Sequence, residues 1–242
     1  MMPIRTVLDS VIRFALPPRC AGCGQIVADD DQLCVDCWQS LEFLTDTGCE
    51  RCGCPITPND YICAPCLLRP PDHDGVYAAV SYGDIARTII LRLKHGRRTG
   101  FAKFIAEAML RNVKNPDAVI IPVPLHRWRI WARGFNQSAL IASRLSRLSG
   151  NPVMLDAIMR TKRTPILRGL GADARAKAVR GVFGVNAAQY SQLAGATVYL
   201  IDDVYTSGAT SNACAKILKK AGATSVTVLC WARVVRQSTD QD

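Results

Sequence analysis

No apolar run in these 242 residues approaches the roughly 20 that a membrane-spanning helix needs, so a transmembrane segment is not expected. The opening stretch, MMPIRTVLDSVIRFALPPRC, has Val7, Leu8, Val11, Ile12 and Phe14 at helical spacing. Asp9 and Arg13 interrupt it, and no small-residue cleavage site stands out, so it does not read as a signal peptide. A short amphipathic helix packed on the rest of the protein is expected there, with membrane attachment as the alternative, and the expected location is cytoplasmic. The pattern GxxxxGK[ST] is also absent, which excludes a nucleoside-triphosphate P-loop of the ordinary kind. Basic residues are scarce at the front of the chain. Residues 1–70 hold 5 Lys/Arg against 9 Asp/Glu, a balance of −4, whereas residues 71–242 hold 25 against 11, a balance of +14. The positive field therefore belongs to the later part, and it suits a polyanionic ligand, either a phosphorylated nucleotide precursor or nucleic acid.

Cysteine is what the front of the chain has in quantity. Nine of the eleven cysteines lie between Cys20 and Cys66. Cys20 and Cys23 are followed after ten residues by Cys34 and Cys37; Cys49 and Cys52 are followed after ten by Cys63 and Cys66. Without a secretion signal, paired CxxC spacing points to metal rather than disulfides. Four thiolates on two knuckles make a closed tetrahedral Zn²⁺ site of the structural kind, and the duplication reads as two zinc ribbons in series. Gly24 and Gly53 follow the second cysteine of the first knuckle in each copy, where a tight turn would aim amides at the sulfurs. Two alternatives stay open: Cys54 in place of Cys52, and ligands that interleave between the copies.

The chemistry of the later part centres on Val198–Thr210, VYLIDDVYTSGAT. Four apolar or β-favouring residues suit a buried parallel strand, and Asp202 and Asp203 stand where that strand would end. Thr206, Ser207, Gly208, Ala209 and Thr210 then lead into SNACAKILKKAG, which reads as a helix. A loop passing into a helix at the carboxyl end of a parallel strand offers unpaired amides and the positive end of the helix dipole to an anion. The hydroxyls would donate to phosphate oxygens, and the acids would accept from a ribose, with Mg²⁺ nearby if a pyrophosphate is present.

Alternating strand and helix patterns fill the rest. Strands are expected at Val76–Tyr82, Asp117–Val123, Val153–Met159 and Ser225–Val234, and helices at Ile85–Leu93, Phe101–Val113 and Gln137–Leu148. The fold class is α/β, a mainly parallel sheet with helices on both faces, preceded by a small double zinc-ribbon module. LLRPPDHDG at 67–75 reads as the join, giving residues 1–70 and 71–242 as the two units. Three basic clusters carry alternatives. Lys94, Arg97 and Arg98 either face the anionic ligand or form a solvated helix end. The stretch after Pro124, Leu125 and His126 alternates Arg127, Arg129 and Arg133 with Trp128 and Trp131. It reads as a loop whose arginines act on anions, while the tryptophans either stack bases or bury against the protein. Arg160–Arg180, rich in Lys and Arg with a single acid, reads either as a mobile cover for an anionic ligand or as a disordered basic loop.

These features resemble the ComF family, in which a zinc-ribbon head precedes a type I phosphoribosyltransferase-like domain. The resemblance rests on the CxxC pairs, PVPLHRWRIWARGFNQS at 122–138, RTKRTP at 160–165 and LIDDVYTSGAT at 200–210. It implies that Asp202 and Asp203 hold the ribose hydroxyls of phosphoribosyl pyrophosphate (PRPP), that Thr206–Thr210 hold its 5′-phosphate, and that Pro124, Leu125 and Arg127 face pyrophosphate. Leu167 and Ala178 stand where members often carry Gln and Asn in the flexible loop. The family is associated with natural competence.

Two functions follow. One is an enzyme, a Mg²⁺-dependent phosphoribosyltransferase in which catalysis comes from positioning the leaving group, since no obvious base is visible. The other is a binding module that keeps the phosphate cradle as a sensor, while Arg127, Arg129, Trp131, Arg133 and the zinc head bind single-stranded DNA or a competence helicase. Both serve DNA uptake or nucleotide salvage.

Overall fold

The computed structural model describes residues 17–29, 32–45, 47–57, 60–95, 99–162 and 171–235, the side chains of 172 and 173 aside. The expected N-terminal helix, Arg97, Arg98 and the 163–170 part of the basic segment, with Thr164-Pro165 and Leu167, lie outside them.

In chain order the elements are α1 (Val35–Gln39), α2 (Ala64–Leu68), β1 (Gly75–Ser81), α3 (Asp84–His95), α4 (Phe101–Leu110), β2 (Val119–Pro122), α5 (Arg127–Arg133), α6 (Gln137–Ser149), β3 (Ile158–Arg160), α7 (Ala172–Val179), β4 (Phe183–Val185), α8 (Tyr190–Leu193), β5 (Thr197–Tyr205), α9 (Ala209–Lys220) and β6 (Ser225–Arg233). Four strands form a sheet in the order β1-β6-β5-β2, every pairing parallel. Parallel neighbours need crossovers, and helices supply them, so both faces of the sheet are covered. Alternation along β5 divides the core. Tyr199 and Ile201 pack with Ile89 and Leu93 of α3, Ile105 of α4 and Ile141 of α6, whereas Val198 and Leu200 pack with Cys214, Ala215 and Leu218 of α9.

The cysteine-rich head is joined to this sheet by more than the chain. Phe43 bridges Val80 in antiparallel fashion, and the Ser81 amide donates to the Glu42 carbonyl at 2.8 Å, so the head covers the free edge of β1. Trp38 packs on Phe43 (5.2 Å between centroids) and on Phe104 (6.1 Å), and Phe104 on the fully buried Trp231 (5.6 Å). The stretch read as the join is pinned too. Asp74 accepts from Lys219 Nζ at 2.6 Å and from the Val226 amide at 2.7 Å, and Asp72 accepts from Asn212 Nδ2 at 3.0 Å.

Three expectations about local structure are corrected. The acids 202 and 203 do not end β5: β6 supplies partners as far as the Tyr205–Arg233 pair, so the ladder runs past them. Residues 127–133 form a helix rather than a loop. Pro124, with no amide hydrogen, follows the last pairing bond of this strand (Val123 amide to the Ile201 carbonyl, 2.9 Å); His126 Nδ1 accepts from the Trp128 amide at 3.2 Å as N-cap, and Gly134, at φ 89°, closes the other end. The basic 160–180 region contributes an end of the antiparallel β3–β4 ribbon and the helix α7, while Val153 makes only a single bridge to Ile120.

Candidate functional site

At the carboxyl end of β5 lies a cleft of about 270 Å³ lined by Arg175, Asp202 and residues 204–211. Sequence order alone brings most of these together, because the strand stops at Tyr205 and α9 starts at Ala209. Gly208 makes the turn at φ 71°, a left-handed conformation, and a Cβ there would overlap the phenol of Tyr205 directly beneath it. The Asn212 amide bonds back to the Gly208 carbonyl at 2.8 Å, so the helix is under way by then, and the amides of its first turn have no intrahelical acceptor. Thr206, Ser207, Gly208, Ala209 and Thr210 therefore surround a small hollow with hydroxyls, first-turn amides and the positive end of a 12-residue helix. From across the hollow, Arg175 Nη1 of α7 donates to Thr206 Oγ1 at 3.3 Å, adding a fixed cation.

The two acids part company. Alternation turns Asp202 toward the α9 face, where it lines the cleft, and turns Asp203 toward α3 and α6. Asp203 is 6% exposed, ion-paired with Lys94, and accepts from Gln137 Nε2 at 3.3 Å. Asp202 accepts from the Asp203 amide at 2.8 Å. Burial and the adjacent Asp203 carboxylate push Asp202 up to about 7; that amide bond and Lys94 pull the other way. A half-buried carboxyl at the wall of a hollow lined by hydroxyls and first-turn amides is suited to accept hydrogen bonds from hydroxyl groups, while its neighbour is held by Lys94 and Gln137.

Lys94 thus faces an internal carboxylate. Pro124, Leu125 and Arg127 are not among the described residues that line the cleft. Pro124 is buried behind β2, and Arg127 is exposed on α5. Asn136 ties this region to the site: its side chain caps α6 by accepting from the Ser138 amide at 3.1 Å and donates to the Val123 carbonyl at 3.0 Å. That cap sets Gln137 where it reaches Asp203. Arg133 Nη1 donates to Gln137 Oε1 at 2.6 Å, so this arginine belongs to the buried network. Arg129 and Trp131 stand on the outer side of α5, with Trp128 55% and Trp131 81% exposed and their rings 5.8 Å apart.

The head holds two cysteine tetrads, Cys20, Cys23, Cys34, Cys37 and Cys49, Cys52, Cys63, Cys66, each with all its sulfurs within 4.8 Å of one another. The pairing is sequential, and Cys54 lies outside both, its Sγ against the Pro55 carbonyl at 3.3 Å. The Cys23–Cys34 and Cys52–Cys63 sulfurs are each 3.6 Å apart. A tetrahedron with Zn–S near 2.3 Å has edges of about 3.8 Å, so both tetrads fit structural zinc. Amide donors to sulfur come from Gly22 and Cys34 (to Cys20) and from Cys63 (to Cys49), at 3.2–3.3 Å. The Gly24 and Gly53 amides bond instead to the Cys20 and Cys49 carbonyls. The turns are the expected ones, with different acceptors.

Gln137, Tyr205 and Arg233 escaped the sequence reading as functional candidates, and Arg175 entered it only as part of the basic segment 160–180. Gln137 had a signal: it is a polar residue opening the otherwise apolar face of a helix. Arg233 had one as well, a charge closing the apolar run SVTVLCWAR.

Comparison with known proteins agrees with this arrangement. A family profile described as a double zinc ribbon domain matches residues 11–67. The chain is 32% identical over 213 residues to the DNA utilization protein YhgH of Escherichia coli O157:H7, covering 84% of this chain and 91% of that one. To Competence protein F of Haemophilus influenzae it is 29% identical over 225 residues, covering 89% and 96%, and to Competence protein ComFC of Bacillus subtilis 26% identical over 213 residues, covering 83% and 84%. Among solved structures it is similar to a purine phosphoribosyltransferase from Pyrococcus horikoshii at 22% identity and a TM-score of 0.32, over 57% of this chain and 83% of that one. The fold itself is defined by the all-parallel strand order β1-β6-β5-β2. With a double zinc ribbon ahead of a parallel sheet, and 32% identity across 91% of a relative, the chain belongs to the ComF family of Competence protein F, ComFC and YhgH.

Proposed function

We propose that the cleft binds PRPP or a closely related ribose phosphate, in the service of DNA uptake or utilization. The observation that carries this reading is the joining of an anion hollow at the N-terminus of α9 to a single outward carboxylate, Asp202. In this reading Thr206–Thr210 and Arg175 take the 5′-phosphate, and Asp202 accepts from the ribose hydroxyls. Asp203, Lys94, Gln137 and Arg133 hold the strand and the adjoining loop in place beneath them. Mg²⁺ enters with the ligand, on its pyrophosphate oxygens. The names of the relatives, competence and DNA utilization proteins, support the setting. Titration calorimetry with PRPP and Mg²⁺ tests the reading. Wild type is expected to give a saturable heat that is lost in Asp202→Ala, and an equal heat from the variant would exclude the site. Pyrophosphate release with a panel of bases then decides between a phosphoribosyltransferase and a sensor.

A second reading is favoured by α5. Seven residues there bury nothing and place two tryptophans beside Arg127 and Arg129 on an exposed helix. Such a surface is suited to stacking the bases of a single strand while neutralising its phosphates. Binding of a single-stranded oligonucleotide should weaken with salt, and the slope should shrink in Arg127→Glu/Arg129→Glu. Arg133 is left out of this variant because it bonds to Gln137. Unchanged affinity in the double variant would remove the idea. A competence helicase is the protein partner this surface would be tested against next.

A further inference from the structure

Arg233 closes β6 and is only 6% exposed. No carboxylate pairs with it among the described residues, and its Nε and Nη1 have no hydrogen-bond partner. A buried guanidinium without a counter-charge is strongly unfavourable, so an anion is expected within reach. The second cysteine tetrad lies within that reach. Arg233 Nη2 lies 3.9 Å from Cys52 Sγ, and a Cβ on Gly53 would come within 3.7 Å of Nη1. Four thiolates around a divalent ion carry a net charge of about −2, which is the missing counter-charge. The first tetrad is built differently: its neighbouring arginines, Arg19 and Arg92, donate to the Gly24 and Cys20 carbonyls at 3.1 and 2.8 Å.

The other side of Arg233 leads to the cleft. Its Cζ stands 5.4 Å from the centroid of the Tyr205 ring, a cation–π contact in a dry setting. Tyr205 is held at its hydroxyl by buried His73, with Nε2 at 3.1 Å, and its phenol supports Gly208, where no side chain would fit. Three consecutive contacts therefore run from a sulfur of the second tetrad to the residue that shapes the anion hollow.

We infer that Arg233 is the counter-ion of the metal-loaded second tetrad and that, through Tyr205, it makes the shape of the 206–210 cradle depend on that metal. When the ion leaves, the thiolates take up protons, so the fixed negative charge is lost and the sulfurs separate. Arg233 is then no longer held between the tetrad and the ring, and the turn at Gly208 loses its support. Among the described residues the first tetrad has no such path to Gly208. The inference does not depend on what the cradle binds.

Hydrogen exchange by mass spectrometry on the zinc-loaded full chain tests it without any ligand. Amides of 206–211 are expected to exchange about tenfold faster in Cys52→Ser, and likewise in Arg233→Met with both ions bound. Cys37→Ser, which empties the first tetrad, is expected to leave them unchanged. In the same samples Arg233→Met should release one of its two zinc ions to a chelator about tenfold faster than wild type, as loss of an outer-shell partner does elsewhere, and Arg233→Lys should restore most of the difference. Unchanged exchange at 119–122 and 137–149 certifies that a variant is folded. If Cys52→Ser fails that check, the arginine variants decide alone. Identical cradle exchange in wild type and Arg233→Met, equal acceleration by Cys37→Ser, or identical zinc release would overturn the inference.

Discussion

Lys94, in the last turn of α3, is ion-paired with Asp203 in the middle of the site, while Asp202 beside it faces the cleft on the opposite side of the same strand. One acid of the pair is thus structural and the other available. Removing only the cation leaves a buried, unpaired carboxylate. Lys94→Met is expected to cost about 2 kcal/mol, less than a fully buried pair because Lys94 is 22% exposed. Lys94→Met/Asp203→Asn should recover part of that loss in urea denaturation, the signature of direct coupling.

Asp202 gives a pH dependence of definite sign. Its folded value, pushed up to about 7, stands above the unfolded value of about 4. Between these two values the folded state holds a proton that the unfolded state has released, so stability falls as pH rises from about 4 to about 7 and is level above. Asp202→Asn removes this penalty. Its stability should exceed that of wild type by on the order of 2 kcal/mol at pH 8, with the difference vanishing toward pH 4, as followed by thermal melting across that range.

Gly208→Ala should cost about 1–2 kcal/mol, from the left-handed backbone and from overlap with the Tyr205 phenol. Tyr205→Phe removes the oxygen nearest to that Cβ. The double variant should therefore be less unstable than the sum of the two single variants, in the same denaturation assay.

Metal analysis should find two zinc ions per chain, falling to one in Cys37→Ser and one in Cys66→Ser. Chelation of both should lower the thermal midpoint and expose the β1 edge now covered by Phe43, promoting self-association visible by light scattering.

The cysteine tetrads were legible because metal coordination is a local, spacing-driven constraint: ten-residue hairpins between CxxC pairs close on themselves. The buried strand 197–205 and the helix starting at 209 were legible for a similar reason, since apolar runs and a glycine turn act over a few residues. The helix at 127–133 was not, because basic and aromatic residues suit a loop as well as an exposed helix, and the caps at His126 and Gly134 decide between them. Sequence alone also set two acids side by side without saying which one lines the cleft. Only the packing of α3 and α6 against one face of β5 hands Asp203 to Lys94 and Gln137, leaving Asp202 to the other face. The link from Cys52 through Arg233 to Tyr205 joins residues 181 positions apart in its first step, and only the folding of the head over the end of β6 brings them together. Short-range chemistry was written in the order of residues; the division of labour among them came from burial, which depends on what lies on each side of the sheet.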